Sequence, residues 1–219
     1  MDTDISDILA SVSSPTVHPH TLDLQALTRA WVNERSAPEL LPYPADLIAR
    51  VSGRLSAQIL KIESLTSTNN PGLKSTLVIY QTELERVKFL LRSYLRARIA
   101  KIDAYPHHSL ALPASHLSPL EKQYTTHHQS LLSTHYHTSF LSAFPASLQR
   151  LDDTTGGVSM VDRPDEDTAV FCRVLRDCGG VDVQGTEGTA QVELRRGDIW
   201  VLRWRDVRGR VEEGSVEMI

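Results

Sequence analysis

Residues 73–104 constrain the fold more than any other stretch of the chain. Between Gly72 and Pro106, the apolar residues Leu77, Tyr80, Leu84, Val87, Leu91, Tyr94, Leu95 and Ile102 recur at helical spacing. The pattern predicts one long amphipathic helix, whose stripe needs other elements to cover it. Three further helices are expected around it. Leu24, Leu27 and Trp31 give one apolar face over residues 21–35, and Pro38, Pro42 and Pro44 then enforce a non-helical connector. Leu47, Val51, Leu55, Ile59 and Ile62 mark a second helix over 45–65, closed by Asn69, Asn70, Pro71 and Gly72. Ser118, Pro119 and Glu121 supply a cap, a first-turn proline and a capping box for a helix that carries Leu120, Tyr124, Leu131 and Phe140 and stops before Pro145.

The pattern changes after Pro145. Asp152, Asp153, Gly156 and Gly157 mark a linker, and residues 162–167 stay polar and acidic. From Thr168 the apolar period shortens towards two, which predicts strands over 169–175, 189–194, 199–204 and 216–219, with a turn at Gly197 and Asp198. The expected class is α+β, mainly α. A flexible tail occupies residues 1–20, a helical bundle domain 21–145, a linker 146–167 and a small β-rich domain 168–219. A unit as small as the last sits near the lower limit of independent stability, so it is expected to lean on other protein surfaces.

Composition narrows the function. The chain has 219 residues, 41% of them hydrophobic, which supports a real core. Its formal charge of −4 argues against a general duplex-DNA binder. No apolar run approaches the length of a membrane span, and the acidic start at Asp2 and Asp4 does not resemble a secretory signal, so an intracellular, non-membrane protein is expected. Cys172 and Cys178 fit no common metal spacing and are expected to be ordinary thiols. His127, His128, His135 and His137 crowd one helix without the three- or four-residue spacing of helical metal ligands. No phosphate-binding glycine loop or nucleophile elbow is present. The expectation is no enzyme, no metal and no cofactor.

Two stretches carry binding potential. On the long helix, Glu83, Glu85, Arg86, Lys88, Arg92, Arg96, Arg98 and Lys101 interleave with the apolar stripe. They suit a solvated face, a protein interface, or a basic face on which Arg92, Arg96 and Arg98 meet phosphates. In the tail, Ile5, Ile8 and Leu9 would share one face of an induced helical turn. Asp4 and Asp7 would sit near its N-terminus, where negative charge is favoured. This suits a peptide laid into a groove.

The block at 27–43, with Trp31, Asn33, Glu34, Arg35, Pro38, Glu39, Pro42 and Tyr43, resembles the opening signature of the Sld-five type of GINS subunit. The block at 80–99, from Tyr80 through Phe89, Arg92 and Tyr94, resembles the central helix of that family. Residues 117–141, with the pairs His135-Tyr136 and Phe140-Leu141, resemble its next helix, and 165–174 with 197–218 resemble its C-terminal β domain. The resemblance spans most of residues 22–219. It implies a non-catalytic, nuclear subunit of a heterotetramer with three Psf subunits. That assembly joins the MCM ring and a Cdc-forty-five-type protein in the replicative helicase that unwinds DNA at origins and forks, with DNA polymerase epsilon as an indirect partner. It also implies that the tail peptide Asp4, Ile5, Asp7, Ile8 and Leu9 binds a trimeric adaptor of the Ctf-four type. Trp31, Tyr80, Leu84, Arg86, Phe89, Arg92, Tyr94 and Arg96 are expected to divide between the core and subunit contacts. The competing reading is a direct DNA-binding module using the basic long helix.

Overall fold

A computed structural model of the chain describes residues 18–67, 72, 74–153, 159–185 and 188–219. Among the described residues five helices come first: α1 (Pro19–Ser36), α2 (Ala45–Ser67), α3 (Lys74–Ala104), α4 (Pro106–Ala111) and α5 (Pro119–Ser139). Two short 3-10 turns follow, at Leu141–Ala143 and Ala146–Leu148. The C-terminal part holds β1 (Ala169–Val174), β2 (Gly179–Gly185), β3 (Gly188–Leu194), β4 (Ile199–Arg203), α6 (Trp204–Glu212) and β5 (Val216–Met218). The protein is α+β and mainly α, with a helical bundle followed by a small sheet region.

Leu27 of α1, Leu47, Ile48, Val51 and Leu55 of α2, and Leu84 and Tyr94 of α3 bury one another in the helical core. Each such aliphatic side chain contributes roughly 1.5–3 kcal/mol by leaving water. Trp31, Tyr43, Val87 and Leu91 close the margins of that core. α5 begins on the reciprocal cap written in its sequence. The Glu121 N–H donates to Ser118 Oγ at 3.2 Å, and the Ser118 N–H donates to Glu121 Oε2 at 2.8 Å.

β1 lies between β4 and β5, antiparallel to both, and β2 pairs with β3 as a separate hairpin. Alternate residues Val170, Cys172 and Val174 of β1 face inward. They meet Leu194, Leu202, Val216, Met218 and three residues of α6, namely Trp204, Val207 and Val211. Gly214, with φ of 72°, takes the left-handed turn that ends α6 and returns the chain to β5.

Three elements depart from the sequence expectation, the first being α4, which opens on Pro106 at its first helical position where the sequence marks that proline only as the boundary after α3. β2 was masked by its glycines, Gly179, Gly180 and Gly185, which resemble turn punctuation more than a strand. α6 was masked because Trp204 continues the alternation of β4, yet it starts a helix with Trp204, Val207 and Val211 buried at i, i+3, i+7.

The sheet core also takes in Ala37, and Leu41 packs against it, both from the loop after α1. The sheet is therefore seated on the helical part through the α1–α2 connector.

Candidate protein interface and its buried supports

Arg98 of α3 is fully buried, and its side chain organises the joint between helices. Nε donates to Glu121 Oε1 at 2.7 Å and Nη2 to Glu121 Oε2 at 3.2 Å. Nη1 donates to Glu34 Oε2 at 3.0 Å and to the Leu41 carbonyl at 2.9 Å, and Nη2 reaches the His116 carbonyl at 2.5 Å. The guanidinium's full donor set is thus matched by acceptors from α1, α5 and two connectors. The rings of Tyr43 and Tyr94 flank it at 5.2 and 5.7 Å. Burial opposes its charge, but the bond to Glu121 and the field of Glu34 outweigh burial and hold it protonated far above its usual range. Burial likewise lifts the Tyr94 phenol well above its ordinary value.

One turn on, Lys101 Nζ donates to Glu34 Oε1 at 2.8 Å and to the Glu39 carbonyl at 2.6 Å. Burial lowers its pKa against the pull of Glu34. The Glu39 carboxylate then crosses to the sheet region. Its Oε2 accepts from the Trp204 indole N–H at 2.9 Å and pairs with Arg208 at 2.9 Å. Asn33 Oδ1 accepts from the Met218 N–H at 2.8 Å, and Arg29 pairs with Glu217 at 3.2 Å. The block at 27–43 therefore supplies Arg29, Asn33, Glu34, Ala37, Glu39 and Leu41, which couple the α3 joint to the sheet.

These groups were not singled out as a site in the sequence, and Arg98 was placed among possible phosphate contacts. That placement is corrected here, because a side chain sealed from solvent and saturated by acceptors cannot meet a phosphate. A signal for burial was available. Arg98 falls at i+4 from Tyr94, i+7 from Leu91 and i−4 from Ile102, on the apolar stripe itself.

The other singled-out residues fall in three groups. Leu84 and Tyr94 are buried. Trp31 and Tyr80 are half-buried, and Arg86, Arg92 and Arg96 are exposed. Phe89 is 58% exposed and meets the Trp31 ring edge-on, with centroids 6.5 Å apart. Arg92 shares Glu85 with Lys88, at 3.3 and 3.0 Å. The tail residues Asp4, Ile5, Asp7, Ile8 and Leu9 lie outside the described residues.

Large apolar side chains remain uncovered elsewhere. On α5, Leu120 is 77% exposed, with Tyr124 and Leu131 also open, and Tyr136 in its last turn forms a chain of ring contacts with Phe140 and Phe144 beyond its end. His128 stacks on Tyr124 with ring centres 5.8 Å apart, so this histidine works as an aromatic plate. On the sheet, Phe171 lies opposite Val201 in register, beside Ile199, and all three are exposed. Exposed apolar side chains grouped in this way suit contact with another protein.

Firm internal joints beneath several uncovered apolar faces define a class: a helical–sheet subunit built to be packed against other chains. Comparison with known proteins makes the class specific. Residues 52–140 match the GINS complex protein helical bundle domain, and residues 164–219 match the DNA replication complex GINS protein SLD5 C-terminus. A DNA replication complex GINS protein SLD5 of Chaetomium globosum is 47% identical, with 99% of this chain and 100% of that protein covered. The protein of that name in Schizosaccharomyces pombe is 38% identical with both chains covered at 100%. The one in Saccharomyces cerevisiae is 32% identical, covering 90% of this chain and 80% of the relative. The chain belongs to the SLD5 family of GINS proteins.

Proposed function

We propose that the chain is a non-catalytic structural subunit of a GINS heterotetramer acting in DNA replication in the nucleus. The observation that carries this reading is the full-length likeness to the Chaetomium globosum protein, on a fold that leaves the α5 and β1–β4 faces uncovered. In this account three Psf subunits cover those faces. The assembled tetramer then joins the MCM ring and a Cdc-forty-five-type protein, where ATP hydrolysis belongs to the ring. The tail peptide Asp4, Ile5, Asp7, Ile8 and Leu9 binds a trimeric Ctf-four-type adaptor, and contact with DNA polymerase epsilon is indirect. Trp31, Tyr80, Phe89, Arg86, Arg92 and Arg96 form part of the subunit contacts. The division into a tail, a helical domain at 21–145, a linker and a β domain at 168–219 gives each partner its own surface.

Direct DNA binding by α3 is the weaker reading, because Arg98 is sealed and Lys88 and Arg92 share a carboxylate. Rapid depletion of the chain from cells in S phase tests the replication role. Labelled nucleotide incorporation is expected to stop within that S phase, and replication that continues at the normal rate contradicts the proposal.

A further inference from the structure

α1, α2, α3, β1 and β5 line a groove of about 1280 Å³. Its floor is apolar, formed by Leu24, Val32, Val51, Leu55, Leu90 and Met218. Its walls are cationic, with Arg29, Arg35, Arg54, Lys61, Arg86 and Arg173 facing two side-chain carboxylates, Glu83 and Glu217, among the lining residues.

Among the described residues those charges are not neutralised. Glu217 is shared by Arg29 and Arg173, and Asp23 beside the groove is shared by Arg50 and Arg54, so each triad keeps a net positive charge. Lys61 lies over the Tyr80 ring at 4.3 Å, and Arg35 over the Trp31 ring at 5.5 Å, aromatic faces taking the place of carboxylates. Arg86 has no carboxylate in ion-pair reach among the described residues.

We infer that this groove is the docking site for an acidic amphipathic helix contributed by a partner subunit. The inference rests on the reading of the chain as a subunit. An apolar floor between basic walls is complementary to a helix with one apolar face flanked by carboxylates. Along α1 the lining runs from His20 to Arg35, roughly 22 Å at the helical rise, room for about four turns. An added strand fits less well, because the Met218 N–H at the adjoining β5 edge already donates to Asn33. Nucleic acid fits less well too, because phosphates would meet the walls and leave the apolar floor uncovered.

The test uses the full chain co-purified with the other three GINS subunits and a zero-length carbodiimide cross-linker that joins lysine amines to carboxylates. The expected product links Lys61 to an Asp or Glu within a helix of another subunit. The double substitution Lys61→Glu/Arg86→Glu is expected to weaken association roughly tenfold or more. Lys61→Gln/Arg86→Gln should fall between it and the wild type. Both side chains are exposed, so the thermal midpoint of the isolated chain should fall by no more than the loss of the Lys61–Tyr80 contact accounts for, which separates a binding defect from a folding defect. Intact assembly of the reversed variant with no Lys61 link overturns the inference and leaves the subunit reading standing. A Lys61 link to Asp2, Asp4 or Asp7 of the same chain overturns it in favour of self-docking. Intact assembly with loss of steeply salt-dependent DNA binding overturns it in favour of nucleic acid. Failure of the wild-type chain to assemble at all removes the subunit reading itself, and the inference with it.

Discussion

At the scale of single residues, stability concentrates in a few buried charges. Arg98→Ala would leave Glu34 and Glu121 charged in a dry site without their guanidinium. The expected loss is about 3–5 kcal/mol, read as a shift in the urea unfolding midpoint. Arg98→Lys should restore little, because an ammonium cannot reproduce the fork that serves two carboxylates and two carbonyls. A loss under 1 kcal/mol in Arg98→Ala would show that the joint relaxes without its guanidinium. His108 and His116 give this region a pH dependence. Burial holds both below the ordinary histidine value of 6.5, the nearby Glu39 notwithstanding. The unfolded chain therefore takes up protons first as pH falls. Their contribution to stability is complete above about pH 6.5 and declines below it. Thermal unfolding at pH 7.5 and 5.5 should show a smaller pH difference in the double variant His108→Gln/His116→Gln than in the wild type. Of this cluster, the buried position of Arg98 was legible from spacing. Its partners were not, since Glu34 lies 64 residues away in sequence and no local pattern joins them.

At the scale of elements, what was legible depended on whether the signal was local. The start of α5 was readable because Ser118, Pro119 and Glu121 act within one turn. Ser118→Ala should remove that cap and lower stability by about 1 kcal/mol. An unchanged midpoint would mean that packing of α5 on α3 and α4 fixes its start unaided. The long stripe of α3 was readable for the same reason. The stripe of α6 was present but short, and it was hidden by the strand alternation running into Trp204. The exposed cations of α3 bear on the subunit reading. Arg92→Ala/Arg96→Ala should weaken assembly with the Psf subunits while the isolated chain keeps its thermal midpoint. Intact assembly with reduced DNA affinity would place these residues on a nucleic-acid face instead.

At the scale of the whole molecule, the connector after α1 ties the two parts together. Glu39→Ala would orphan the buried Trp204 indole N–H, at about 1–3 kcal/mol for a buried donor left unmet, and would leave Arg208 with Glu212 alone. Hydrogen exchange should rise across residues 204–218 while the α2 and α3 core stays protected. A uniform rise over the whole chain would instead mean that the two parts unfold as one unit. The existence of a small sheet unit was legible from the change in period after Pro145. Its seat was not, because Asn33, Ala37 and Glu39 read locally as the end of a helix and a proline-rich loop. Their role depends on residues such as Trp204, 165 positions further on. The central claim is that this chain is completed by other chains, and the native mass of the protein co-expressed with the three Psf subunits tests it most directly. The account predicts one assembly containing a single copy of each of the four chains. A well-folded monomer that ignores the Psf subunits would contradict it.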